Sequence, residues 1–541
     1  MGEWIKNVSS AEMDKEEFLL RNQRPPFPTT PLICVFAIHA WLYFNFVGVM
    51  RIYIGLTLIL CCAVGSLCHI LALQRSEQRT LQKLCQKYDL SRLGFLPAKP
   101  VTRLDSNMFP ACEVWEKLSE ELPKIIREQK GKLYRERVMT LPCLTKDELS
   151  TVANNKESLR RCYVLFGQLV HAFVHCHRSM WDTGQCGEAT QERKVEETCG
   201  LIYDSAGRIV VPAQLAIPFH FSCEKLNMPT VLTATGTDCW NWCFPYRDEE
   251  FLNDLNPDRF SVADLHSVSS ITGTDTERFF HMIPCAMQAA AGNLLFDILR
   301  IPWYLSRRVN AKLLSCLKSM QSVLSTFRDL FNNIPKLVDI RIFRDVYRHL
   351  LNGFYPDGII LRLDAENQVG IHDIVATPKG PSAGQSAIFI IFDLLLGVRH
   401  ARSGEREELS DNTVMRAFQS EMREYMPYKH RLLIQHFETA LSAAGYCSVG
   451  HYISSGNGGK LTYELSDAFD GAATALRDLR QEHLRVVCAF LSSTNTGTGA
   501  SAYRSLLQES LDNTTATVEE QSQHAAKIMT ERGKRRKEKC N

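Results

Sequence analysis

The sequence predicts a mainly α-helical protein, and three observations carry that expectation. From about Tyr88 onward, apolar residues recur at spacings of three and four, the period of helices that bury one face. The clearest stretch runs from Phe469 to Phe490, where Phe469, Ala472, Leu476, Leu479, His483, Val486 and Phe490 fall on one stripe. The strand signal is slight: Ile209–Val211 and its neighbours read as a short hairpin, with Ala206-Gly207 as its turn.

The bulk numbers fit a globular chain. At roughly 150 residues per domain, 541 residues allow two or three domains and at least one sizeable core. The composition, 45% hydrophobic and 23% charged, is ordinary for folded proteins. Lys and Arg number 62 against 60 Asp and Glu, so no charge field draws nucleic acid. None of the 19 cysteines forms a Cys-x-x-Cys pair, so the usual zinc spacing is missing. They read as reduced thiols of a cytosol-facing domain.

Organisation along the chain follows composition. Residues 1–30 are a polar leader containing Pro25-Pro26-Phe27-Pro28. Residues 31–75 are predicted to enter a membrane, because Arg51 is the one formal charge between Leu32 and Leu73. One span and a tight hairpin both fit, since almost no polar loop separates the halves. Arg75, Arg79 and Lys83 follow, which places the rest of the chain in the cytosol, anchored to the membrane. Phe260–Glu277 is rich in Ser and Thr and reads as a linker. Arg402–Asn412 reads as a charged loop and Asn495–Ser501 as a Gly/Thr/Ser loop. Residues 511–541 are polar, end in Lys534-Arg-Arg-Lys-Glu-Lys-Cys-Asn, and are expected to be a disordered basic tail.

Two segments carry chemistry. His483 sits in the middle of an apolar face, where it is either a satisfied core histidine or a metal ligand. Arg480 lies one turn earlier on nearly the same face. A buried imidazole beside a guanidinium suits haem, because the imidazole binds iron and the guanidinium can pair with a propionate. The second segment is Gly380-Pro-Ser-Ala-Gly-Gln-Ser386, followed by the apolar run from Ala387 to Gly397. Its small residues let a flat ligand approach the backbone. Asp393 interrupts the apolar run and needs a cation or several donors, with Arg480 as one candidate. His171, His175 and His177 form a third cluster. His171 and His175 have metal-ligand spacing, but no Glu follows His171 as in zinc proteases. No P-loop, dinucleotide fingerprint or Gly-x-Ser-x-Gly stands out.

At this point the motifs resemble one family. Ser382-Ala-Gly-Gln-Ser386 leading into Phe392-Asp-Leu-Leu-Leu-Gly397 is similar to the indoleamine 2,3-dioxygenase signature. So are Met422-Arg-Glu-Tyr-Met-Pro-Tyr-Lys-His-Arg431, Arg480-Gln-Glu-His483, Asn241-Trp242 and Tyr88-Asp-Leu-Ser-Arg-Leu-Gly-Phe-Leu-Pro97. The resemblance runs in order from about Tyr88 to Ser510. It implies a small N-terminal mixed α domain over 85–233 and a large all-α haem-binding domain over 234–510. It implies a monomeric catalytic domain with b-type haem iron on His483, and with Arg480, Ser382, Ala383 and Asp393 around the cofactor. The implied reaction inserts both atoms of O2 across the indole 2,3 bond of L-tryptophan or a related indole. The product would be N-formylkynurenine, on the kynurenine route of tryptophan catabolism. Gly497-Thr498-Gly499 resembles the mobile loop that closes over substrate.

The implied substrate pocket departs from the family in two places. Arg348 matches the carboxylate-binding Arg, a contact worth about 1.5–3 kcal/mol. Phe279 and Phe343 match the aromatic walls. Ile283 stands where the family has Ser, which removes a hydroxyl, and Arg344 stands where it has Phe or Tyr. His281, two residues from Phe279, is expected to point away from the pocket. Arg344 shares a helix face with Arg348 and is expected to make the pocket more anion-selective. The same changes also fit a membrane-tethered haem-binding or scaffold protein that kept the fold and lost turnover.

Overall fold

The computed structural model describes Cys61 and residues 79–540, apart from 101, 108, 129, 177–199, 365–372, 399–411, 492–496 and 498–501. The polar leader lies outside the described residues, as does the apolar stretch 31–75 except Cys61. Among the described residues, no single helix is long and apolar enough to cross a membrane. The charged loop expected at Arg402–Asn412 also lies outside, except that Asn412 begins a helix. Residues up to Lys87 make one unit and Tyr88–Asn541 a second. The second is mainly helical, and the described cysteines from Cys61 to Cys488 are free thiols.

The first half is organised on α2 (Lys156–His175), which α1 (Glu113–Arg127) packs against. Asn155 caps α2 by accepting from the amides of Glu157 and Ser158. The helix is buried from Leu159 to Val174, so it runs through the core and its polar members must find partners inside. Arg161 does so by pairing with the buried carboxylate of Glu116 at 2.6 Å. β1 (Ile209–Val211) meets Tyr203 across the expected turn, where Gly207 has φ +80°. The main partner of β1 is distant in sequence. Beyond α3 (Ala213–Leu226), which packs on α2, and beyond Ala234, lies β4 (Ile359–Leu361). It pairs in parallel with β1 and antiparallel with β5 (Ile374–Ala376).

The expected linker at Phe260–Glu277 is folded instead. β2 (Trp242–Cys243) pairs with β3 (His266–Ser267). The Asn241 side chain then brackets Ser269, accepting from its amide at 3.0 Å and donating to its carbonyl at 2.8 Å. The Glu277 carboxylate accepts from the amides of Ile271 and Thr272, at 2.8 and 2.7 Å, and from the Thr272 hydroxyl. Thr274 caps α4 (Asp275–Ala290). The Ser and Thr residues therefore serve as turn and cap donors and acceptors.

The second half is dominated by α5 (Asn310–Phe331), α8 (Thr462–Phe490) and α9 (Tyr503–Cys540), with α8 packed extensively on both of the others. Leu313, Leu317, Met320, Leu324 and Phe327 form the buried row of α5. The short apolar α6 (Ala387–Leu396) ends at Gly397, where φ is +73°, and packs on α7 (Tyr428–Ala443). Helix α9 corrects the expectation of a disordered tail. Thr514 and Thr517 are buried, and their hydroxyls donate to the carbonyls of Ser510 and Asn513 one turn back. Satisfied within the helix, these polar residues can pack against α8 instead of facing water.

Candidate active site

His483 lies two turns before the end of α8. Protein surrounds it densely, and the residue is only partly exposed. The Phe331 ring meets it edge-on, with centroids 5.1 Å apart. Among the described residues, neither ring nitrogen has a hydrogen-bond partner. Burial, and then the charge of Arg480, lower its pKa to about 4. The imidazole is therefore neutral at physiological pH, with a lone pair free to ligate a metal.

Arg480 and Asp393 are brought together. Arg480 Nη2 donates to both Asp393 oxygens, at 2.7 and 2.8 Å, and Nη1 donates to the Thr514 hydroxyl. Sequence reasoning left two partners open for Arg480. In the structure it ties α8 to α6 and α9, with both terminal nitrogens engaged inside the protein. Ser382 caps a short turn through the Gly384 amide, and Ala383 beside it is exposed. Gln385 accepts from the Ala234 amide and donates to the Gly380 carbonyl, both at 2.9 Å. A Cβ on Gly384 would lie 2.8 Å from Phe418, so that glycine makes room for protein rather than for a ligand.

The implied substrate residues gather on an unusual piece of backbone. Residues Ile342–Tyr347 form a π-helical turn, closed by the Arg348 amide donating to the Phe343 carbonyl. In an α-helix, residues five apart point roughly 140° away from each other. The wider π turn returns residue i+5 close to residue i, so Phe343 and Arg348 share a face. Both are buried. The Phe343 ring lies 4.7 Å from Phe280 on α4 and 5.7 Å from Phe490 on α8, on the stripe of His483. Thus Phe280, rather than Phe279, joins Phe343, whereas Phe279 carries the Arg278 guanidinium 4.0 Å above its ring. Ile283 is fully buried on α4. Burial pulls the pKa of Arg348 down and Tyr503 opposes this. The Tyr503 hydroxyl donates to the Leu491 carbonyl at 2.8 Å, joining residues on either side of Gly497 in the sequence. Thr498 and Gly499 lie outside the described residues.

One expectation is overturned. Arg344 does not add a cation to this face. It bonds the neighbouring Asp345 twice, at 2.6 and 2.9 Å, on a side chain 38% exposed. A carboxylate one residue away neutralises it and holds it at the surface. Of the histidine cluster, His171 and His175 are structural, and His177 lies outside the described residues. His171 Nδ1 donates to the Leu350 carbonyl at 2.9 Å and Nε2 accepts from the Leu232 amide at 3.1 Å. His175 donates to the Asn352 carbonyl. Among the described residues no group of His, Cys, Asp and Glu is arranged to hold a metal.

One functional neighbour escaped sequence reasoning. His281 does turn away from Phe279, but into a buried network, bonding Asp238 at 2.7 Å and the Tyr347 hydroxyl. A histidine interrupting the apolar run after Phe280 was the only signal for it.

With this geometry established, comparison with known proteins places the chain. The family model for indoleamine 2,3-dioxygenase matches residues 84–536. A 6-hydroxytryptophan 2,3-dioxygenase of Fusarium equiseti is 27% identical over 414 residues, 75% of this chain and 84% of the relative. Indoleamine 2,3-dioxygenase 1 of Rattus norvegicus is 24% identical, covering 77% of this chain and 87% of the relative. The indoleamine 2,3-dioxygenase of Saccharomyces cerevisiae is 23% identical, covering 77% and 82%. The chain belongs to the indoleamine 2,3-dioxygenase family, haem-dependent dioxygenases that act on tryptophan-like indoles with O2.

Proposed function

We propose that this protein inserts O2 across the indole 2,3 bond of L-tryptophan or a ring-modified tryptophan, giving the N-formylkynurenine product. His483 carries the reading: an enclosed, neutral imidazole without a hydrogen-bond partner among the described residues, on a helix clamped by Arg480 and Asp393. His483 would hold the iron, and the haem, when bound, would supply binding and activation of O2. Asp393 fixes Arg480, and through it the helix that aims the imidazole. Phe343 and Phe280 form an apolar wall for the indole, and Arg348 takes the substrate carboxylate as a charge-assisted pair. The buried setting of this face excludes water from the reacting ring. No protein base is required, so Ile283 in place of a hydroxyl does not by itself block turnover. The name of the Fusarium relative supports including hydroxylated indoles among the substrates.

The full-length protein, reduced with ascorbate and a mediator, should convert L-tryptophan or 6-hydroxytryptophan to its N-formyl product. His483→Ala should abolish the Soret band. Haem binding without product from either indole would favour the second reading, a haem-binding or scaffold protein that kept the fold. A wild-type chain without a Soret band would sink both.

Membrane attachment through residues 31–75, with a monomeric catalytic domain in the cytosol, is a separate proposal resting on the apolar composition of that stretch, where Arg51 is the one formal charge between Leu32 and Leu73. Release of the protein from membranes by alkaline carbonate would refute it.

A further inference from the structure

Among the described residues two segments are π-helical, Thr235–Cys239 and Ile342–Tyr347, each closed by an amide-to-carbonyl bond five residues back: Trp240 to Thr235 and Arg348 to Phe343. Such π turns are rare as isolated features and cluster at functional sites. Both pack against α4, and one side chain on α4 touches both. His281 is 3% exposed. Its Nδ1 lies 2.7 Å from Asp238 Oδ1, in the first turn. Its Nε2 bonds the hydroxyl of Tyr347, in the second.

The chemistry of the partners fixes the directions. A carboxylate accepts, so Nδ1–H donates to Asp238. In the neutral ring Nε2 is then an acceptor, and the Tyr347 hydroxyl donates to it. The Thr237 hydroxyl donates to the same Asp238 oxygen at 2.8 Å, which holds the carboxylate in place. Tyr347 is 1% exposed, and burial, followed by the charges of Glu277 and Asp238, keeps its phenol protonated and able to donate. Tyr347 also stands edge-on to Phe280, which packs on Phe343. It immediately precedes Arg348.

We propose that Asp238, His281 and Tyr347 are positioning residues: a buried hydrogen-bonded clasp that fixes the π register of residues 342–347 and so holds Arg348 beside Phe343. The inference rests on the reading of Arg348 as the carboxylate partner and Phe343 as the indole wall. Without the clasp, the turn can relax towards an α register, in which Arg348 rotates away from Phe343. The clasp thus acts on recognition of the amino-acid end of the substrate, and not on the reacting ring.

Tyr347→Phe in the full-length holoenzyme tests this, because it deletes the clasp hydroxyl and keeps the ring packed on Phe280. KM and the calorimetric Kd for L-tryptophan should rise about tenfold, with kcat within twofold. Tryptamine, which has the indole but no carboxylate, should bind as it does to wild type, because Arg348 has nothing to grip in it. Amide hydrogen exchange over 342–348 should speed up severalfold, with or without haem. Unchanged L-tryptophan affinity, an equal loss for tryptamine, or unchanged exchange would each overturn the clasp. A wild type that binds neither indole would refute the assignment of the site, while the exchange comparison would still decide on the clasp.

Discussion

The amide of Arg348 donates to the carbonyl of Phe343, five residues back, and that bond puts a cation and an aromatic ring on one face. In ordinary helical geometry the pair would diverge. The same turn points the intervening Arg344 outward, where Asp345 holds it.

Arg344 should therefore be silent in substrate choice. Replacing it with Phe is expected to leave the rank order of KM values across indole analogues unchanged, and to cost under about 1 kcal/mol in stability, as exposed ion pairs do. A reordering of the analogues in steady-state kinetics would place Arg344 back in the pocket.

The Arg480–Asp393 pair is a stronger lever. Both side chains are largely buried, at 12% and 6% exposure, and the contact is doubled. Asp393→Ala leaves the guanidinium without its counter-charge and should cost about 3–5 kcal/mol in urea unfolding. The double variant Arg480→Met with Asp393→Leu should recover most of that loss. A single-variant cost below about 1 kcal/mol would mean that water reaches the pair.

Thr514 makes the tail part of the fold. Its hydroxyl accepts from Arg480 and donates to the Ser510 carbonyl. Thr514→Val should destabilise by about 1–3 kcal/mol, because it leaves a buried donor unmet. Truncation after Leu511 should remove helical circular dichroism as well. An unchanged spectrum would show that residues 512–540 are not helical in solution.

His171 sets an acid limit on stability. Burial lowers its pKa from 6.5 to about 4, and its Nε2 must stay unprotonated to accept from Leu232. As pH falls below 6.5 the unfolded chain takes up a proton that the native state refuses until about pH 4. Stability is therefore lost over that window and levels off below it. At about 1.36 kcal/mol per pH unit, the loss is on the order of 3 kcal/mol. His171→Gln should flatten the slope of unfolding free energy against pH between about 4 and 6.5 by one proton. An unaltered slope would assign the acid sensitivity elsewhere.

Much of this protein was legible in its sequence, for a physical reason. Helical periodicity is local, so the stripe from Phe469 to Phe490 announced α8 and placed His483 and Arg480 one turn apart. Asp393, a carboxylate in an apolar run, advertised its need for a cation, and Arg480 supplies it. Composition misled where polar residues are satisfied by partners that composition does not show. Thr272, Thr274 and Glu277 build a cap rather than a linker, and Thr514 and Thr517 pack in a helix rather than solvating a tail. The substrate side was decided only in three dimensions. A π turn differs from an α turn by one residue of hydrogen-bond register, which sequence periodicity does not specify. Here the contact of Tyr347 with His281, and of His281 with Asp238, spans three elements far apart in the chain. Tertiary packing therefore chose which of the neighbouring residues, Phe343 or Arg344, shares a face with Arg348.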